Sequence, residues 1–173
     1  KPDFLNAFEK LLGDGKKWGM HFEYTVQLNP NGLVEGITLS ERFIDGSPIA
    51  LILGDNLFSG AELTFTLKKA KNNLDGANIF SCIVKNPENY GVIKFEKNRK
   101  IADILEKPSI PPSKYAITGI YFFDNTVSKK VESLRPSKRN ELEITDLLKL
   151  YLKDGKLNLN ILGRGFTWLD TGT

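Results

Sequence analysis

Six segments in the first half of the chain alternate between two spacings of apolar residues, and no other feature restricts the fold as much. In "PDFLNAFEKLLGDG", Phe4, Leu5, Phe8, Leu11 and Leu12 recur at helical spacing, and Gly13 and Gly15 end the pattern. "MHFEYTVQ" alternates with a period of two and reads as a strand, closed by the turn "NPNG". "GLVEGITLSERF" returns to helical spacing through Leu33, Ile37 and Phe43, despite Gly36. "IALIL" is a continuous apolar run, the kind buried on both faces of a parallel sheet. A helix over "GAELTFTLKKAKNN" and a strand over "ANIFSCIV" complete the series. The order α-β-α-β-α-β predicts an α/β sheet joined by right-handed crossovers.

The second half changes character. "GVIKFEKNRKIADILEKP" reads as a hairpin around the polar turn "EKNRK", and "KYAITGIYFFD" as a long aromatic strand. "NTVSKKVESL" and "EITDLLKLYLKDG" are helical, and "KLNLNIL" alternates as a strand. In the second helix Glu143 and Asp146 lie near the N-terminus and Lys153 and Lys156 near the end, as the helix dipole prefers. "KPSIPPS", with Pro108, Pro111 and Pro112, is a stiff loop and not a linker. Residues 1–173 are therefore expected to belong to one domain. The chain lacks an initial Met and stops at "WLDTGT", so that domain is expected to be incomplete.

Composition removes several kinds of chemistry. Cys82 is the only cysteine and His21 the only histidine, which excludes a disulfide framework and a Cys/His zinc site within the chain. His21 reads as an outward residue of its strand. The net charge of +3 is spread along the chain, so neither a nucleic acid nor a membrane surface is an expected partner, while small anionic ligands fit. No apolar run approaches the roughly 18 residues of a membrane-spanning helix, and no signal peptide is visible. The expected location is the cytoplasm.

Three places carry reactive or binding side chains. In an open α/β sheet, ligands bind beyond the carboxyl ends of the strands, and "LILGDN" places Asp55 at such an end. Asp55 reads equally as an oxygen ligand for Mg²⁺ and as the N-cap of a following helix. Asp170 in "WLDTGT" follows an apolar pair in the same way, and reads as a second metal ligand or as an Asx-turn residue. "LEKPS" sets Glu106 beside Lys107, and neighbours in an extended segment point to opposite faces. A carboxylate accepts sugar hydroxyls and an ammonium holds a phosphate; the pair reads also as solvated surface charge.

Taken in order, "LLGDG", "GDN", "NPENYGV", "EKP", "YAITGIYFFD", "ELEITD" and "GRGFTWLDTGT" resemble the glucose-1-phosphate thymidylyltransferases, members of the sugar-phosphate nucleotidyltransferase family. The resemblance covers nearly the whole chain. It implies a Rossmann-like, three-layer, mostly parallel sheet of the nucleotidyltransferase type, truncated at both ends. It also implies Mg²⁺-dependent transfer of dTMP from dTTP to glucose 1-phosphate, giving dTDP-glucose and pyrophosphate, and a homo-oligomer. By the same resemblance Asp55 and Asp170 hold the metal. Glu106 binds sugar hydroxyls, and Lys107 the phosphate of the sugar phosphate. Gly91 and Ile117 contact the sugar, and Gln27 and Gly32 the base.

The sequence departs from that family in three ways. The family's opening strand and "GGxGTRL"-type phosphate loop are not among these residues, nor is its C-terminal helical portion. Where the family reads close to "LAQA", this chain has Leu33 to Ile37, "LVEGI", and Glu35 is expected to alter nucleotide choice or to weaken binding. Two other readings stay open: a UTP-using nucleotidyltransferase, and a non-catalytic domain that keeps the sugar-phosphate site. A dinucleotide-binding dehydrogenase does not fit, because no G-x-G-x-x-G follows any strand.

Overall fold

A computed structural model describes residues 2–172. In chain order its elements begin with helices α1 (Pro2–Leu12), α2 (Glu35–Leu39) and α3 (Glu41–Ile44), then strands β1 (Ile49–Ile52) and β2 (Asn56–Gly60). Helix α4 (Leu63–Asn72) and strands β3 (Ala77–Ile83), β4 (Gly91–Phe95), β5 (Ile101–Glu106) and β6 (Tyr115–Phe123) follow. Helices α5 (Val127–Glu132) and α6 (Ile144–Lys153) and strands β7 (Leu157–Ile161) and β8 (Phe166–Asp170) complete them.

The main sheet has the order β5-β4-β6-β3-β7, with β1 also beside β6. Strand β6 runs antiparallel to β1, β3 and β4, and β7 runs parallel to β3. Strands β1, β3, β4 and β7 therefore point one way, while β5 and β6 point the other. The common direction expected from the alternating helices and strands is present in those four. The β4–β5 hairpin reverses the chain, so β6 enters the middle of the sheet in the opposite sense, and adjacent pairs come out mostly antiparallel.

The sheet lies between two helical layers. On one face Ile79, Tyr121 and Phe123 pack with Val127 and Val131 of α5, Leu147, Leu148 and Tyr151 of α6, and Ile37 of α2. On the other, Phe80 and Ile120 pack with Ala70 of α4. Neighbours in a strand face opposite sides, which is why Ile79 and Phe80 enter different clusters. Each fully buried side chain of this size contributes about 1.5–3 kcal/mol.

Three expectations need correction. Residues 20–27 form no ladder, although the backbone is extended enough to put exposed His21 and Glu23 on one side, 3.4 Å apart. Alternation alone does not make a strand; no described strand lies alongside to complete the hydrogen bonds. Residues 33–44 form two short helices that meet at Ser40. Strand β1 alternates between half-buried and exposed positions, with Ile52 58% exposed, where a strand buried on both faces was expected. Among the described residues β1 is paired on one edge only, by β6, and the face that carries Ala50 and Ile52 is exposed. No helix among the described residues is long and apolar enough to cross a membrane.

Candidate functional site

Asp55 lies where the chain leaves β1 for a two-stranded ribbon formed by β2 and β8. The next helix, α4, begins only at Leu63, so the capping reading of Asp55 is excluded. The ribbon's register pairs Asn56 with Asp170, which brings the two aspartates to the same end. Thr171 reinforces the junction: its N–H and its hydroxyl both donate to the Asp55 carbonyl, at 2.9 and 2.8 Å. Asp170 Oδ1 accepts from the Gly172 N–H at 2.9 Å, the Asx-turn that its sequence also allowed.

The two carboxylates face one point. A Cβ on Gly172 would sit 2.5 Å from Asp55 Oδ2 and 3.3 Å from Asp170 Oδ1. Any side chain at position 172 would intrude on that space. Oxygen-only donors in this number suit Mg²⁺, which takes one or two carboxylates and completes its shell with phosphate and water. Among the described residues there is no cluster of three or more His, Cys, Asp or Glu that could hold an ion by itself.

Glu106 and Lys107 lie in the same cleft as the aspartates, at the end of the β4–β5 hairpin where Gly91 pairs with Glu106. Sequence spacing placed these neighbours on opposite faces. The backbone overturns that: Lys107 has φ 39°, in the left-handed region, with its N–H donating to the Tyr90 carbonyl at 3.0 Å. The chain leaves the strand there and both side chains line one cavity. A non-glycine residue at positive φ carries roughly 1–2 kcal/mol of strain, and such strain concentrates at functional sites.

Sequence reasoning did not single out Arg139 as a site residue. Its guanidinium lies 3.5 Å from Glu106, 3.1 Å from Glu141 and 3.6 Å from Glu143. Glu143 is buried, directly precedes α6, and accepts from the Ser137 hydroxyl at 2.8 Å. Its carboxylate thus faces the cleft, beyond the dipole role read from its place in the sequence. Burial and the Glu143 charge raise the Glu106 pKa, while Thr145, Lys107 and Arg139 pull it back. Gly91 is confined: a Cβ there would meet Thr145 Cγ2 at 2.9 Å. Trp168 packs against Tyr90 with ring centres 5.1 Å apart and the rings tilted by 57°. The motifs "ELEITD" and "GFTWLD" contained the signal for Glu143, Thr145 and Trp168, but nothing local distinguished these from structural residues.

The cleft has a volume of about 300 Å³ and is lined by Asp55, Gly91, Glu106, Lys107, Ile117 and Asp170, with Arg139, Glu143, Thr145 and Trp168 between them. Six of the eight predicted site residues are thus brought together. Gln27 and Gly32 do not line it; Leu33, next in sequence to Gly32, does. Their segment is docked on residue 142, where the Leu142 N–H donates to the Asn31 carbonyl at 2.7 Å. Glu35 is occupied within that segment. Its carboxylate accepts from Gln27 Nε2 at 2.6 Å and from Asn31 Nδ2 at 2.8 Å.

A model of the family described as "Nucleotidyl transferase" matches residues 4–173. The chain is 47% identical to the glucose-1-phosphate thymidylyltransferase of Neisseria meningitidis serogroup A, over 99% of its own length and 60% of that protein's. It is 49% identical to the Xanthomonas campestris pv. campestris protein of the same name, over 99% and 58% of the two lengths. The chain therefore spans about 60% of the length of these relatives. Its fold matches a Bacillus anthracis protein assigned as a glucose-1-phosphate thymidylyltransferase, in complex with a sucrose. There the TM-score is 0.86 at 38% identity, over 98% of this chain and 67% of that one. It also matches a UDP-glucose pyrophosphorylase complexed with UDP-glucose, with a TM-score of 0.79 at 25% identity, over 97% and 68%.

Proposed function

We propose, from the premise that this chain belongs to the nucleotidyl transferase family, that it carries the sugar-phosphate and metal side of a glucose-1-phosphate thymidylyltransferase. The observation that carries the proposal is one cleft holding two convergent aspartates at one end and a Glu–Lys pair at the other. The names of the relatives at 47–49% identity support the thymidylyl and glucosyl choices.

In this reading Lys107 holds the phosphate of glucose 1-phosphate, and Glu106 accepts hydrogen bonds from sugar hydroxyls. Gly91 and Ile117 bring backbone close to the sugar ring, which the absence of a Cβ at Gly91 permits. Gln27 and Gly32 face the base. A sugar-phosphate oxygen attacks the α-phosphorus of dTTP in line; the new P–O bond forms as the bond to the β-phosphate oxygen breaks, and pyrophosphate leaves with that electron pair. The attacking oxygen is already ionised, so no general base is needed, in keeping with a chain that has one histidine. Asp55 and Asp170 would hold Mg²⁺, which when bound neutralises charge on the phosphates.

The test is release of pyrophosphate from dTTP and glucose 1-phosphate with Mg²⁺, compared with UTP and dCTP. Preference for UTP would favour the second reading, which the UDP-glucose pyrophosphorylase likeness supports at lower identity. Binding of sugar phosphate without turnover of any nucleotide, in full-length protein, would leave a non-catalytic domain.

A further inference from the structure

Strand β6 bulges against β3. The register passes from Ile79↔Tyr121 to Ser81↔Ile117, so Phe80 alone stands opposite three residues of β6. The bulge is secured by Thr118, whose hydroxyl donates to the Phe80 carbonyl at 3.1 Å. It also turns the Gly119 N–H toward Asn56 Oδ1, at 3.1 Å. Bulges of this kind re-aim groups beside active sites. A Cβ on Gly119 would overlap the Asn56 amide, so the approach requires glycine there.

Asn56 makes two further contacts. Its Oδ1 also accepts from Trp168 Nε1 at 2.6 Å, and its Nδ2 donates to Asp55 Oδ1 at 2.8 Å. Two N–H donors converge on one end of the amide, and only its oxygen can receive them. The NH₂ end is therefore committed to Asp55. That contact occupies Oδ1 of the aspartate and leaves Oδ2 as the oxygen that faces the space above Gly172, shared with Asp170. One side chain thus touches Trp168, which packs on Tyr90 beside Gly91 of the sugar end, the central strand, and a carboxylate of the metal end.

We propose that Asn56 is a positioning residue that aligns the metal end of the cleft with its sugar end, by holding Asp55 and Trp168 in one geometry against the bulge of β6. The proposal rests on the functional reading above for its kinetic consequence, but not for its geometry.

Asn56→Asp tests it with the smallest change. An aspartate keeps an acceptor for Trp168 and Gly119 and replaces the donor facing Asp55 by a negatively charged oxygen. In full-length protein, kcat is expected to fall and the Mg²⁺ concentration for half-maximal activity to rise, each roughly tenfold, the worth of one charge-assisted hydrogen bond made repulsive. The KM for glucose 1-phosphate should change less than threefold. The second arm needs no activity and no metal. In ¹⁵N-labelled protein the indole N–H resonance of Trp168 should move in Asp55→Ala, although the two side chains meet only through Asn56, and should not move with the same change made on Asn56→Ala. An indole resonance indifferent to Asp55, or kinetic constants that all fall together in Asn56→Asp, overturns the proposal. A wild-type protein without turnover overturns the functional reading instead, and the resonance arm still decides the role of Asn56.

Discussion

The two ends of the cleft are held by different means. At the proposed metal end, Asp55 is exposed and Asp170 half-buried, and their approach is set by backbone: the β2–β8 register, the Thr171 contacts and a glycine at 172. At the proposed sugar end the carboxylates of Glu106 and Glu141 are half-buried and that of Glu143 buried, and they are set by charge, with the exposed Arg139 among them. The first arrangement keeps two carboxylates close in water, where their repulsion is screened and a cation can enter. The second needs a fixed cation, because carboxylates drawn partly out of water repel one another more strongly than in bulk solvent.

The comparison predicts unequal losses. Asp55→Asn should lower turnover about a thousandfold, since charge stabilisation in the transition state of ~4 kcal/mol corresponds to that factor. Affinity for glucose 1-phosphate should hardly change. Steady-state kinetics beside calorimetry separate the two, and near-normal turnover would remove Asp55 from the metal end. Gly172→Ala should come next. A methyl group 2.5 Å from Asp55 Oδ2 must push the carboxylate aside, and a misfit of roughly 1–3 kcal/mol lowers turnover by about ten- to a hundredfold. Because residue 172 is exposed, thermal stability should stay within a few degrees; a large drop in melting temperature would make the glycine structural.

The sugar end should respond in affinity. Lys107→Ala is expected to weaken glucose 1-phosphate binding by ~1.5–3 kcal/mol while dTTP binding stays nearly unchanged. Lys107→Arg should rescue only part, because a planar fork does not replace a compact ammonium. Equal loss for both ligands would sink the assignment. The smallest effect at neutral pH belongs to Arg139→Gln, and pH brings it out. Burial and Glu143 already raise the Glu106 pKa, so Glu106 protonates at a higher pH than a free glutamate as the solution is acidified. Removing Arg139, which opposes that shift, moves protonation higher still. Sugar-phosphate binding should then weaken on acidification earlier in the variant than in the wild type. Calorimetry over a pH series checks the sign, and a profile displaced downward contradicts it.

Local pattern served well where one element explains its own residues. The apolar spacing of α6 and the length of β6 appear in the structure as read. It failed where a partner strand decides the outcome. Residues 20–27 alternate like a strand without becoming one, and β1 is apolar along its length yet exposed on one side. The β2–β8 ribbon escaped notice as a pair because its strands are short and far apart in the chain.

Sequence alone determined most of the helices and main-sheet strands, the α/β class and the residue types available for chemistry, because periodicity and motif act over a few neighbouring positions. Tertiary structure decided which of those residues meet. Only the β2–β8 register brings Asp55 to Asp170, and only the left-handed turn at Lys107 puts it on the same side as Glu106. Arg139 and Asn56 acquire their partners through loops and a bulge whose geometry depends on strands elsewhere in the sheet. Hydrogen bonds and ion pairs extend only a few ångströms, so a site assembled from distant segments exists only once the backbone has brought those segments within that reach.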